Sequence, residues 1–380
     1  MTARLAAAAL SACLFLQAES VGAAEQAPGA SKELRVAPSQ KPTAETQTNE
    51  MIRHLASTWF KSEWRAYREA FVSPDGRVID NGNAGVSHSE GQGYGLLLAA
   101  FVDDRDHFEL IWNWTDKHLK VRWDNLLAWR WNPADRTIDK NNATDGDMLV
   151  AWALAEGAKR FNRPDYAVVA RSIAEAIGAH AIAKNDDRIY LLPAVEGFDA
   201  KAQPDGPVVN LSYWVFPAFS TLQELAPEYD WAGLKLSGLK ILGESRFGPL
   251  RLPTDWQSLK ETIPHPAQKF PAEFGYYAIR LPLYLLWSGE AEALRAAQRF
   301  DGLWSGKSDV GPFVVSVSSG DANQSLDGAG YKIVLSLARC VTLGREIDPD
   351  LTKTRDHLYY PATLRMLSLA VIQERFPQCL

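Results

Sequence analysis

Cysteine, methionine and histidine are scarce in this chain: three, four and seven among 380 residues. There is no CxxC and no HExxH, and the histidines are scattered, so no zinc site of familiar spacing is predicted. No cofactor or metal is called for. Cys13 lies in an N-terminal apolar segment, which leaves Cys340 and Cys379. In an exported protein these form one disulfide, or they are a buried thiol and a free one; spacing alone does not set the distance between them. Basic residues are not in excess. Lys and Arg number 40 against 46 Asp and Glu, a net charge of -6. That balance gives no footprint for a nucleic-acid or anionic-membrane partner.

Long apolar runs are also missing, apart from Leu5 to Leu16. Arg4 is the only charge before that run, and the small residues Val21-Gly-Ala23-Ala24 follow it. The pattern reads as a secretory signal over 1–24, too short for a membrane span, and predicts a periplasmic or secreted protein. Leu10-Ser-Ala-Cys13 has the look of a lipoprotein box, but the apolar run continues past the cysteine. Residues 25–48 are rich in Pro, Ala, Ser, Thr, Glu and Gln and read as a disordered leader. The folded domain is then 49–380, large enough for a sizeable core.

Within that domain the apolar spacing is mainly helical. Helices are expected over Met51 to Ala70, Gly93 to Val102, His107 to Leu119, Asp147 to Phe161 and Pro164 to Ile182. Others are expected over Tyr213 to Leu225, Trp231 to Ser245, Tyr276 to Trp287, Ala291 to Leu303, Gly328 to Val341 and Tyr360 to Glu374. Short strands are expected at Arg77 to Ile79, Arg188 to Leu191 and Phe313 to Val317. The pattern predicts an all-α fold of helical hairpins, closed into a ring or stacked as a solenoid.

Two acidic segments stand at helix starts. Ser87-His-Ser-Glu90-Gly-Gln-Gly-Tyr94-Gly95 fits a capping box, and Thr144-Asp-Gly-Asp147 fits a similar cap. Capping alone does not explain why Gly91, Gly93 and Gly95 interleave with polar side chains, since glycine weakens a helix. Carboxyl groups beside flexible glycines, which let the chain approach a sugar, suit acid/base cleavage of a glycosidic bond. Of the two aspartates, Asp145 is expected to face a cleft and Asp147 to do more structural work. Thirteen Trp, 12 Tyr and 15 Phe supply core and flat surfaces for sugar rings alike. Trp129 and Trp131, just before the second acidic segment, are the expected sugar platform.

These residues resemble glycoside hydrolase family 8, bacterial endoglucanases that include the cellulase of cellulose-synthesis operons. Arg77-Val-Ile-Asp80 with Ser89-Glu-Gly-Gln-Gly-Tyr-Gly95 matches the segment bearing the family's general acid, which implies that role for Glu90. Ala143-Thr-Asp-Gly-Asp147 matches the signature helix, with Val150 and Gly157 as mild departures; it implies a catalytic-subsite role for Asp145. Asn210-Leu-Ser-Tyr213 is similar to a stretch whose tyrosine helps hold the attacking water, and Pro253-Thr-Asp255-Trp256 to a further segment. The resemblance implies an (α/α)6 barrel of helical hairpins with a few short strands in loops. It also implies an inverting endo-β-1,4-glucanase that acts as a monomer on β-glucan, in cellulose synthesis or plant-wall attack. Substrate contacts are implied for Tyr94, Trp129, Trp131, Asp147, Tyr213, Asp255, Tyr276, Tyr277 and Arg280.

One departure bears on mechanism. Many members carry Ser-Tyr-Asp-Ala-x-Arg, with that Asp as general base, whereas this chain reads Gly275-Tyr-Tyr277-Ala-Ile-Arg280. A tyrosine of pKa about 10 is a poor base near neutrality. The base then comes from elsewhere, with Asp145, Asp255, Glu273, Asp321 and Asp327 as candidates, or the chain binds glucan without cutting it. Chitosan, xylan and mixed-linkage glucan are the alternative substrates.

Overall fold

The computed structural model describes residues 44–185, 188–301, 303 and 312–380, with side chains from 58 onward. The signal over 1–24 and most of the expected leader lie outside these residues. Thr48–Leu380 forms one compact unit.

Twelve α-helices are present among the described residues: α1 Ala44–Phe71, α2 Ser89–Phe101, α3 Arg105–His118, α4 Thr144–Phe161, α5 Pro164–His180, α6 Phe219–Leu225, α7 Trp231–Glu244, α8 Arg280–Ser288, α9 Ala291–Ala297, α10 Ala329–Leu343, α11 Pro349–Lys353 and α12 Tyr359–Arg375. Their packing follows from their apolar faces. α2, α4 and α12 are buried nearly all round over much of their length, the mark of helices inside a larger core. α3 instead buries one stripe, Phe108, Ile111, Trp112, Trp114 and Thr115, and leaves the rest to solvent.

α2 packs along α4, and α4 meets α6 and the 3-10 turn Phe216–Ala218. That turn meets α8, α8 meets α10, α10 meets α12, and α12 returns to α2. This is a closed inner ring. Each inner helix runs into an outer partner in the next stretch of chain: α2 into α3, α4 into α5, α6 into α7, α8 into α9, α10 into α11. The sixth pair joins the two ends of the described chain. Tyr67 of α1 hydrogen-bonds Thr363 of α12 at 2.8 Å, and buried Glu63 pairs with Arg365 at 2.8 Å. The fold is therefore a ring, not a stack. Cys340 and Cys379 are joined in a disulfide, with Cα atoms 5.9 Å apart.

Departures from the sequence pattern have local causes. The helix expected over Tyr213 to Leu225 is broken into two 3-10 turns before α6, where Pro217 cannot donate to a continuous helix. The helix expected from Tyr276 starts at Arg280. Asp255 draws the backbone N–H groups of Gly275 and Ala278 to its carboxylate at 3.0 and 2.8 Å and holds 276–279 as a turn. Arg77 to Ile79 holds a single isolated bridge, at Val78, rather than a strand, whereas strands do form at Ile189–Leu191 and Phe313–Ser316.

Candidate active site

A cavity of about 390 Å³ opens where the N-terminal ends of α2, α4, α8 and α12 converge. Three carboxylates reach it among the described residues: Asp80, Glu90 and Asp145. A larger cavity, about 1130 Å³, lies toward the C-terminal ends of α2, α4 and α12, between Phe101, Trp152 and Gln373. Its side-chain carboxylates, Glu156 and Glu374, pair with different arginines, Arg160 and Arg375, whereas Glu90 and Asp145 of the first cavity share one.

The approach of α2 to α4 creates the smaller site. A Cβ on Gly146 would fall 2.1 Å from Ser89 Oγ and 2.7 Å from the Glu90 backbone nitrogen. One turn further on, a Cβ on Gly93 would fall 2.6 Å from Leu149 Cβ. Both contacts are closer than real Cβ atoms allow, so glycine at these positions lets the two helix starts meet. The glycines thus admit neighbouring protein, not sugar, a correction to the expectation drawn from flexibility. Gly91 and Gly95 likewise face His88 and Val78.

Arg280 opens α8 and is almost wholly buried. Its Nη1 donates to Glu90 Oε1 in a very close ion pair and to the Tyr94 hydroxyl at 3.2 Å. Its Nη2 donates to Asp145 Oδ2 at 3.3 Å and to Ser212 Oγ at 3.1 Å. The guanidinium lies 5.7 Å from the Tyr213 ring centroid and 5.9 Å from that of Tyr277. One cation therefore spans both acidic motifs. Burial pushes the Asp145 carboxyl up to about 8, with Asp147 adding to the rise. The Gly146 N–H pulls the other way, and so does the Arg280 charge at 3.3 Å. Burial thus favours the protonated form of Asp145, and Arg280 favours the ionised one.

The sequence-predicted residues divide into two groups. Glu90, Asp145, Trp129, Tyr213, Tyr276, Tyr277 and Arg280 line the cavity. Tyr94, Trp131, Asp147 and Asp255, expected to touch substrate, do not line it; each makes contacts within the protein that support it. Tyr94 is fully buried, bonded to Tyr284 and Arg280. Trp131 packs edge-on against Trp114 at 5.7 Å, with Arg77 over its ring. Asp147 accepts from the Leu127 N–H and Asn142 Nδ2, both at 2.8 Å, and anchors the loop before α4; burial raises its carboxyl to about 7. Asp255, raised to about 6 by burial, lies beneath the turn that carries Tyr277. Of the five candidate bases, Asp145 alone reaches the cavity.

Sequence reasoning assigned no role to Asp80, His88, Asn83, Tyr331 or Tyr360, which also line it. Two signals were available: His88 lies within the first acidic segment, and the Asp80 carboxylate stands just before it. Tyr331 and Tyr360 sit at the starts of helices with purely core-like spacing and carry none.

Comparison with known proteins agrees with this geometry. The family model described as glycosyl hydrolases family 8 matches residues 42–374. This chain belongs to that family. It is 35% identical over 312 residues to a probable endoglucanase of Novacetimonas hansenii, covering 80% of this chain and 88% of that one. Against an endoglucanase of Cellulomonas uda it is 37% identical over 241 residues, 63% of this chain and 66% of the relative. Among solved structures, the endo-beta-1,4-glucanase CMCax from Acetobacter xylinum superposes with a TM-score of 0.73 at 33% identity, covering 82% and 97% of the two chains. Endoglucanase Cel10 from Klebsiella pneumoniae gives 0.72 at 34%, covering 83% and 100%. The six-hairpin ring of this family member is an (α/α)6 barrel.

Proposed function

We propose that this family 8 chain is an exported endo-β-1,4-glucanase acting on cellulose or a related β-glucan. The observation that carries the reading is the Arg280 bridge between Glu90 and Asp145 at the floor of the cavity. It holds two carboxylates, each on a rigid helix start, on different nitrogens of one guanidinium, with tyrosine and tryptophan faces around them. The endoglucanases it resembles supply the substrate class.

In this mechanism Glu90 is the general acid. Its Oε1 faces the Arg280 donor, so the transferable proton sits on Oε2. That proton passes to the glycosidic oxygen as the bond from the anomeric carbon to that oxygen breaks. A water attacks the same carbon from the opposite face and gives its proton to Asp145, the candidate base that reaches the cavity. Bond formation and cleavage on opposite faces invert the anomeric centre. Only ionised Asp145 can take that proton, and Arg280 favours that form; once ionised, its burial makes it a stronger base than an ordinary carboxylate. Tyr213 and Tyr277 flank the guanidinium and Trp129 provides a sugar-stacking face.

The test is release of reducing ends from carboxymethylcellulose by wild type and by Glu90→Gln. Wild-type activity that is lost in the folded variant supports the reading; near-normal turnover by Glu90→Gln overturns it. A second reading is favoured by the cavity wall made of Tyr276, Tyr277, Tyr331 and Tyr360, which carries no carboxylate. It makes the chain a glucan-binding protein. It predicts polymer binding with no new reducing ends from carboxymethylcellulose, chitosan, xylan or mixed-linkage glucan.

A further inference from the structure

Two polar side chains in the cavity, Asp80 and His88, have no part in the hydrolysis just described. We infer that they form a positioning pair for Glu90, in which Asp80 selects the imidazole tautomer that leaves the proton-bearing oxygen of Glu90 free. The inference rests on Glu90 being the general acid.

His88 is the N-cap of α2, and its Nδ1 accepts the Gly91 N–H at 2.9 Å. A ring nitrogen that accepts a hydrogen bond carries no proton, so in the neutral ring the proton lies on Nε2. Nε2 points to Asp80 Oδ2 at 3.4 Å. The other oxygen of Asp80, Oδ1, accepts the Gly82 N–H at 3.1 Å. Each Asp80 oxygen thus faces a donor. The arrangement is tight: a Cβ on Gly91 would lie 3.2 Å from His88 Cε1, 3.3 Å from Nδ1 and 2.9 Å from the Tyr359 hydroxyl. The Tyr359 ring closes the remaining edge, 5.7 Å away in T-shaped contact. Asp80, Glu90 and Tyr359 are the titratable groups facing the imidazole.

The consequence falls on Glu90, two residues after His88. Its Oε2 lies 3.8 Å from His88 Nδ1, while Oε1 is occupied by Arg280. With Nδ1 unprotonated, Oε2 can carry the proton destined for the leaving oxygen. The other tautomer would set an N–H against the Gly91 N–H and beside Oε2. That would undo the cap and offer a donor to the oxygen that must itself donate. Asp80 acts only through the ring, so it is a positioning residue. In serine proteases, an Asp→Asn change beside the histidine keeps the geometry and costs about 10⁴ in kcat through the wrong tautomer.

Asp80→Asn makes the same switch here. The carbonyl must face the Gly82 N–H, so the amide NH₂ faces His88 Nε2 and requires an acceptor there. The experiment reads the tautomer by long-range ¹H–¹⁵N correlation of the imidazoles, with His88 assigned through His88→Asn. It also measures kcat and KM on carboxymethylcellulose for the wild type, Asp80→Asn, His88→Asn, the double variant and Glu90→Gln. The expected result is Nε2–H in the wild type and Nδ1–H in Asp80→Asn, whose kcat falls at least tenfold with KM within threefold. His88→Asn keeps a good cap, and adding Asp80→Asn to it changes kcat less than twofold. An Asp80→Asn protein with wild-type kcat beside an inactive Glu90→Gln overturns the inference, as does a full additional loss in the double variant. An active Glu90→Gln instead removes the hydrolytic reading beneath it. If Asp80→Asn does not fold, the wild-type spectrum decides: Nδ1–H overturns the inference.

Discussion

Gly146 fixes the distance between the two acidic motifs, and replacing it with alanine tests that directly. The new Cβ would lie 2.7 Å from the Glu90 backbone nitrogen and 2.1 Å from Ser89 Oγ. Ordinary contact with the nitrogen begins near 3.4 Å, so the first turn of α2 must recede by about 0.7 Å or the start of α4 must tilt by as much. Overpacking of this kind costs about 1–3 kcal/mol. Unfolding entropy of about 2.1 cal/mol/K per residue over the compact unit Thr48–Leu380 converts that to a Tm loss of roughly 1.5–4 °C. Activity should suffer far more, because a shift of about 1 Å in a catalytic group can cost about 100-fold. Gly157→Ala is the control. Its Cβ would press on the Phe108 ring at 2.4 Å, near the far end of α4. Calorimetry and reducing-end assays should show similar Tm losses for both variants, with kcat falling about 10- to 100-fold only for Gly146→Ala. A Gly146→Ala protein with kcat within twofold of wild type would refute the claim that this glycine sets the geometry.

Two further predictions concern stability. Asp145, Asp147 and Asp255 are raised to about 8, 7 and 6 by burial, above the unfolded value of about 3.9. Their contribution is fully present below that value and is lost as pH rises through the folded ones. Tm should therefore decline between pH 5 and pH 8, and Asp147→Asn should flatten that slope while lowering Tm at pH 5; an equal slope in variant and wild type would refute the assignment. The Cys340–Cys379 bridge spans 39 residues, so opening it should cost about 4 kcal/mol by loop entropy. Reduction, or Cys340→Ser, should lower Tm by roughly 5–6 °C, measured by calorimetry with and without reductant.

The helices were legible because their apolar periodicity is strong and their neighbours are local. α5 and α7 begin where the sequence pattern begins them, at Pro164 and Trp231. What the pattern could not supply was closure, which depends on α12 meeting α2 across almost the whole chain. The two acidic motifs were legible as helix starts carrying carboxylates. The glycines between them were visible, but their use was not: a flexible residue that admits a ligand and a small residue that admits a neighbouring helix look the same in sequence. Asp147 and Asp145 differ by one residue between them, yet one anchors a loop and the other opens on the cavity, because the first turn of α4 points them to different sides. Arg280 was visible as an expected substrate contact. That it would hold two carboxylates depended on α2, α4 and α8 converging, which no local pattern encodes.

The sixth hairpin has a temporal meaning. Its outer helix is the first one described in the chain and its inner helix the last, and that last helix brings Tyr360 and Pro361 to the cavity wall. A growing chain can form five hairpins in order of synthesis, each from adjacent sequence. It cannot enclose the site until the last one returns to α1. Until α12 is made, Glu90 and Asp145 stand at the edge of an open arc, and the wall opposite them does not exist. Closure of the cavity is therefore all-or-none with respect to α12: without that helix, the wall supplied by Tyr360 and Pro361 is absent.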